Sequence, residues 1–223
     1  MFGKKMQKIM VIALVLLLSV ALVATSVGGI GYLFSKKPDQ GGQDYQAAFQ
    51  QEYDQLILNI EQLEARVAED PSNADAQKAL AGLYAQRAQY AVYWSFIGII
   101  TDPQADYQKA MEGFQACLEI QQERPADVLL ALAEVSWRAG NNDLSESTYL
   151  ELLEREPENR DVLIGYGYFL RDGLEDRDQA IAQWEKARSL TEDAEVQAQL
   201  DELIQSAKSQ DIHVEEGNDR GND

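Results

Sequence analysis

The longest apolar run comes first. Residues 9–34 carry no charge over 26 positions. At about 1.5 Å of rise per residue, such a helix crosses a ~30 Å hydrocarbon layer with some tilt. The pattern predicts a transmembrane helix over 9–34. Lys4, Lys5 and Lys8 precede it, and Lys36 and Lys37 follow. With the terminal amine counted, the bias keeps residues 1–8 in the cytoplasm and sends the rest of the chain outside. A cleaved signal peptide is the competing reading. Its cleavage region would lie near residues 24–31, where Ser26, Val27 and Gly28 make a poor small-residue site, and the run outlasts a usual signal core. Ala24 and Gly28 form one small-xxx-small pair, which would suit a weak homodimer. Flexibility at the membrane exit is the plainer reading. Residues 35–43, with Pro38 and the Gly41-Gly42 pair, read as a linker.

From Asp44 to Lys208 apolar residues recur at helical spacing and breaks come at Pro, Gly and Asn, so an all-α domain is predicted over 44–208. Tyr45, Phe49, Tyr53, Leu56, Ile57, Ile60, Leu63 and Val67 form one stripe, which ends near Asp70-Pro71-Ser72-Asn73. A period then emerges. Residues 126–159 carry Leu129, Leu132, Ala133 and Trp137, a Gly140-Asn141-Asn142 turn, Ser145, Tyr149 and Leu152, and a closing Pro157. Residues 160–192 repeat the scheme: Leu163, Tyr166, Gly167 and Leu170, a turn at Asp172-Gly173 with one extra residue, then Ala180, Trp184 and Ala187. An earlier unit, about 74–125, has Leu80, Ala81 and Tyr84 in its first half and Ala110, Phe114 and Cys117 in its second, with an insertion between them. Residues 193–208 place Val196, Leu200, Leu203 and Ile204 on one face, as a capping helix would. Residues 209–223 are acidic and polar and are expected to be disordered.

These units resemble the tetratricopeptide repeat, a helix-turn-helix module. The resemblance assigns Ala133 and Gly167 as the small residues of first helices, and Ser145 and Ala180 as those of second helices. Tyr149 and Trp184 are the aromatics that fill the gap. It covers about 140 residues, with two full repeats and one interrupted. It implies a short α-solenoid whose first helices line a concave face.

Charge and composition narrow the chemistry. From Asp39 onward 14 Lys and Arg stand against 38 Asp and Glu. A body so acidic repels phosphate backbones, so no nucleic-acid partner is expected. Cys117 is the only cysteine and His213 the only histidine. That excludes an internal disulfide and leaves too few ligands for a His/Cys zinc site. Cys117, beside Phe114 and Leu118, reads as a buried hydrophobe. Acid pairs such as Glu151/Glu154 and Asp176/Asp178 read as solvated faces, and no phosphate loop is present. No catalysis, cofactor or metal is expected.

Protein binding remains. Projecting first helices outward gives Asp75 and Lys78, then Leu130, Glu134, Trp137 and Arg138, then Ile164, Tyr168 and Arg171. Trp, Tyr and Arg dominate hot spots, so Trp137, Arg138, Tyr168, Arg171, Lys78, Leu130 and Ile164 are the candidate partner groove. A core role for Trp137 is the alternative. The two arginines suggest an acidic or mixed peptide. The carboxylate-gripping pattern of chaperone-binding members is not carried over, because only Lys78 fits it and Asp75 and Glu134 oppose it.

Residues 90–100 form an almost unbroken apolar stretch, too short to span a bilayer. Tyr93, Trp94, Phe96, Ile97 and Ile100 are a candidate docking segment, unless the stretch simply lengthens its helix and packs on the Tyr45–Val67 stripe. The chain thus reads as a membrane-anchored scaffold or adaptor for a protein or peptide. The architecture resembles the anchored repeat proteins of cytochrome c maturation and the ancillary repeat subunit of the bacterial protein-export channel, which would mean assembly or export of envelope proteins. The stretch Leu63-Glu64-Ala65-Arg66-Val67-Ala68-Glu69-Asp70-Pro71 is similar to the former. The alternative is a structural subunit of a membrane complex, docked through 90–100.

Overall fold

The structure is a computed structural model that describes residues 42–95, 102–121 and 123–218. The predicted transmembrane helix at 9–34 and most of the linker lie outside the described residues. Among the described residues, no helix is long and apolar enough to cross a membrane. Those residues are helical with no strand. The chain divides into two compact units, Met1–Glu123 and Arg124–Asp223.

In the first unit, α1 (Gly42–Glu69), α2 (Ala74–Ser95) and α3 (Pro103–Ile120) pack in sequence. Asn73 starts α2 by accepting the Ala76 N–H at 3.0 Å. Asp102 starts α3 by accepting that of Gln104 at 2.9 Å, with Pro103 in the first turn. From α1, Leu56 and Ile60 are buried. α2 presents small residues, with Ala81, Ala88 and Ala91 closed to solvent. α3 comes so near that a Cβ at Gly113 would lie 2.9 Å from Ala81 Cβ. Polar groups then tie the three helices together. Tyr84 of α2 donates to Glu64 of α1. The Lys109 ammonium of α3 lies 4.8 Å from the Tyr84 ring centre. Arg87 grips the buried Asp106 with two hydrogen bonds, of 2.7 and 2.5 Å.

The second unit holds α4 (Ala126–Arg138), α5 (Asn142–Arg155), α6 (Arg160–Asp172), α7 (Arg177–Ser189) and α8 (Ala194–Asn218). Asn141, Asn159 and Asp176 accept the first amides of α5, α6 and α7. Two residues past α4 comes Gly140, whose φ of 82° suits a residue without a Cβ. There the Asn141 N–H reaches back to the Ser136 carbonyl at 2.8 Å. The α6–α7 turn puts Glu175 in the left-handed region, at φ 58°. α5 packs on α4 and α6, α7 on α6, and α8 on α7.

Small residues set these approaches. Ala133 is fully buried, and its carbonyl accepts the Ser145 hydroxyl at 2.8 Å. At Gly167 a Cβ would fall 2.3 Å from Trp184 Nε1. Tyr149 clusters with Tyr166 and Phe169, with ring centres 5.3 and 5.8 Å away. The last helix runs to Asn218, past the expected end at Lys208 and into the stretch expected to be disordered. No proline or glycine interrupts it before Gly217, so nothing local stops propagation.

Candidate functional site

On α4, Leu130, Glu134, Trp137 and Arg138 follow at helical steps and each keeps part of its surface. On α6, Asp161, Gly165, Tyr168 and Arg171 do the same. α4 meets α6 directly, so the two stripes adjoin. The predicted aromatics and arginines form two pairs, one on each helix. Arg138 lies over the Trp137 ring at 4.9 Å, and Trp137 sets its edge against Phe169 of α6 at 6.2 Å. Tyr168 turns toward Trp184 of α7, 5.5 Å away and at 67°. Arg171 covers both rings, at 5.1 and 5.2 Å.

Two predicted groove residues behave differently from the expectation. Arg171 is not a spare cation: its Nε and Nη2 donate to the two carboxylate oxygens of Asp172 at 2.6 and 2.8 Å. Ile164 is 9 % exposed and its carbonyl accepts the Trp184 indole N–H at 3.2 Å. It is therefore core and offers no contact area. Lys78, like Asp75, belongs to α2 of the first unit.

The outward projection also undervalued Glu134. Burial pushes its carboxyl up to about 7, with Arg138 pulling it down and Asp161 raising it further. Among the described residues, no cation lies within ion-pair distance of Glu134 and its carboxylate accepts no hydrogen bond. In sequence, Glu134 and Arg138 look like an ordinary i,i+4 pair. In the fold the guanidinium goes to the Trp137 ring. Beneath the face sits Tyr149, whose hydroxyl is pushed well above its usual value by burial and by Glu134. A Cβ at Gly165 would come within 3.0 Å of Tyr149 Oη, so a glycine is what leaves this hydroxyl close below the surface. The repeat pattern marks Gly167 and says nothing of Gly165.

Tyr93 and Trp94 of the candidate docking segment lie on the last turn of α2, which extends to Ser95. Phe96, Ile97 and Ile100 lie outside the described residues. Among the described residues, no group of three or more His, Cys, Asp or Glu is placed to hold a metal ion.

No family model matches the chain. No curated protein sequence matches it either. Among solved structures, the human IFIT1 dimer with PPP-AAAA superposes with a TM-score of 0.59 at 16% identity, over 86% of this chain. This chain spans 42% of the length of that one. MamA gives a TM-score of 0.47 at 12% identity, covering 81% of this chain and 99% of its own, too low to carry weight. IFIT1 is a tetratricopeptide-type repeat protein. At such low identity the likeness speaks to fold alone, and together with the helix pairs and their small-residue contacts it gives this chain a tetratricopeptide-like, all-helical fold.

Proposed function

We propose that this chain is a non-catalytic scaffold that holds a protein or peptide partner on the face formed by α4 and α6. One observation carries the reading: Trp137 stays partly exposed on a first helix, with Arg138 laid over its ring. A rigid aromatic with a stacked guanidinium is the kind of anchor that dominates protein interfaces. IFIT1 was solved with PPP-AAAA. The excess of acids over bases opposes a phosphate-bearing ligand here, and a polypeptide is the better fit. Crosslinking with mass spectrometry on native membranes tests this. Partner peptides should crosslink to α4 and fall at least roughly tenfold in Trp137→Ala, as for a hot spot of about 2 kcal/mol. Crosslinks unchanged by that substitution would overturn the groove.

The scaffold is proposed to be tethered by residues 9–34, with the helical units outside the cytoplasm and a role in assembly or export of envelope proteins. The uncharged run and its lysine flank support this. Protease added to right-side-out membrane vesicles should digest the helical units, and full protection would reverse the orientation. A second reading, a structural subunit docked through 90–100, is favoured by the length of α2: 22 residues, against 13 in α4 and in α6. A single stoichiometric partner crosslinked at Tyr93 and Trp94, and none at α4, would select it.

A further inference from the structure

We propose that the segment seated on the α4–α6 face is basic: it sets a lysine or arginine against Glu134 and an apolar side chain against Leu130 and Trp137. The proposal rests on the scaffold reading of this face and names the chemistry of its partner.

Charge complementarity selects a basic partner. Two arginines on the face suggest an acidic or mixed peptide, and the structure removes one of them. Arg171 is held by both oxygens of Asp172 and covered by Tyr168 and Trp184. Asp161 is likewise engaged, with Arg160 at 3.0 Å. What remains is Glu134 and Arg138, and they differ in what isolation costs. A guanidinium resting on an indole face keeps its edge in water and needs no anion. A carboxylate drawn into a half-buried site loses hydration that nothing on the protein replaces. A cation from a partner restores that loss. An acidic segment would meet Glu134, and then the field of a body with 38 acids against 14 bases from Asp39 onward. The apolar requirement follows from the neighbours. Leu130 lies one helical turn before Glu134 and Trp137 one turn after it, both partly exposed. Leu130 Cδ1 also sits 3.6 Å from the place a Gly165 Cβ would occupy, so Leu130 of α4 and Gly165 of α6 adjoin.

The groups that bear on Glu134 are Arg138 on its own helix, Tyr149 on α5 and Asp161 on α6. Because Glu134 titrates near neutrality, a basic ligand should bind best where it is ionised and weaken as pH falls.

The test uses the full chain in detergent micelles and a phage-displayed library of random short peptides, followed by fluorescence anisotropy with the selected sequences. Lysine or arginine next to a bulky apolar residue should be enriched. Glu134→Gln, which keeps shape and removes the charge, should weaken these peptides by roughly tenfold or more. The same change should abolish the loss of affinity that the unmodified chain shows as pH falls from about 8 to about 6. Glu202→Gln, an exposed carboxylate of the same unit, should change affinity by less than about twofold. Equal effects of the two substitutions would mean that only the overall acidity attracts the peptide, and the proposal falls. Enrichment of acidic peptides overturns it directly. Peptides lost in Trp137→Ala but indifferent to Glu134→Gln would keep the face and discard its basic ligand. Peptides indifferent to both, or none retained at all, would overturn the face itself and this proposal with it.

Discussion

Replacing Gly167 with alanine is expected to destabilise the second unit by about 3 kcal/mol, the upper end of what overpacking a core costs. The sign is the informative part. In an open helix interior, glycine to alanine gains about 1 kcal/mol, because glycine loses more freedom on folding. At residue 167 the new methyl would fall 2.3 Å from Trp184 Nε1 and 2.7 Å from Cδ1. The ring has nowhere to go. Trp184 is fully buried, its N–H is donated to the Ile164 carbonyl, Tyr168 meets it edge-on and Arg171 covers it. Gly82 is the control, since a Cβ there meets nothing within 4 Å. Gly82→Ala should be neutral or stabilising by up to about 1 kcal/mol. Urea melts of both variants read the contrast. The Gly167 variant should also melt more than about 10 °C lower. A Gly167→Ala chain as stable as the parent would mean that Trp184 can move aside and that the close approach of α6 and α7 does not limit the fold.

A second large effect is expected in the first unit. Arg87→Met should cost about 3 kcal/mol, because it leaves Asp106 buried with no cation. Asp106 is 6 % exposed, and both its oxygens accept from the Arg87 guanidinium. The methionine keeps most of the aliphatic stem, so lost packing contributes little. The double variant Arg87→Met with Asp106→Leu removes the pair together and should recover much of the loss. If the single and double variants melt alike, the cost lies in lost contacts with the Tyr84 ring, which the guanidinium faces at 5.2 Å. The ion pair would then not be what locks α2 to α3.

Much of the helical scheme was legible in adjacent residues. Asn141, Asn159 and Asp176 each stand at a break and accept the first amides of the following helix. Gly140 marks the end of α4 because the chain there needs a positive φ. The resemblance to the tetratricopeptide repeat assigns Ala133, Gly167, Tyr149 and Trp184 their roles, since such a repeat puts its small and large residues at set offsets. The acidic, polar sequence past Lys208 predicts an end to α8 there. Polarity alone does not end a helix, and this one continues until glycine appears at residue 217.

The chemistry of the candidate face was much less legible. Its residue types were visible in the pattern, but their pairings were not. Arg171 looks like a free charge on a helix wheel, which shows only which way a Cα points. Whether its guanidinium reaches Asp172, Tyr168 or Trp184 depends on where α7 lies. Glu134 and Arg138 look like an ion pair by spacing, yet Trp137 takes the guanidinium and the partly buried carboxylate gains no ion pair with it. The clamp of Glu64, Tyr84, Arg87, Asp106 and Lys109 joins three helices and carries no local signature at all. The sequence by itself determined where helices start, where they turn and which face of each is apolar, because caps, glycines and apolar spacing act within one or two turns of backbone. Only the tertiary structure decided which charges are spent and which are left open, because a long side chain picks its partner among groups that packing brings near from distant parts of the chain, and burial then sets what being left without one costs.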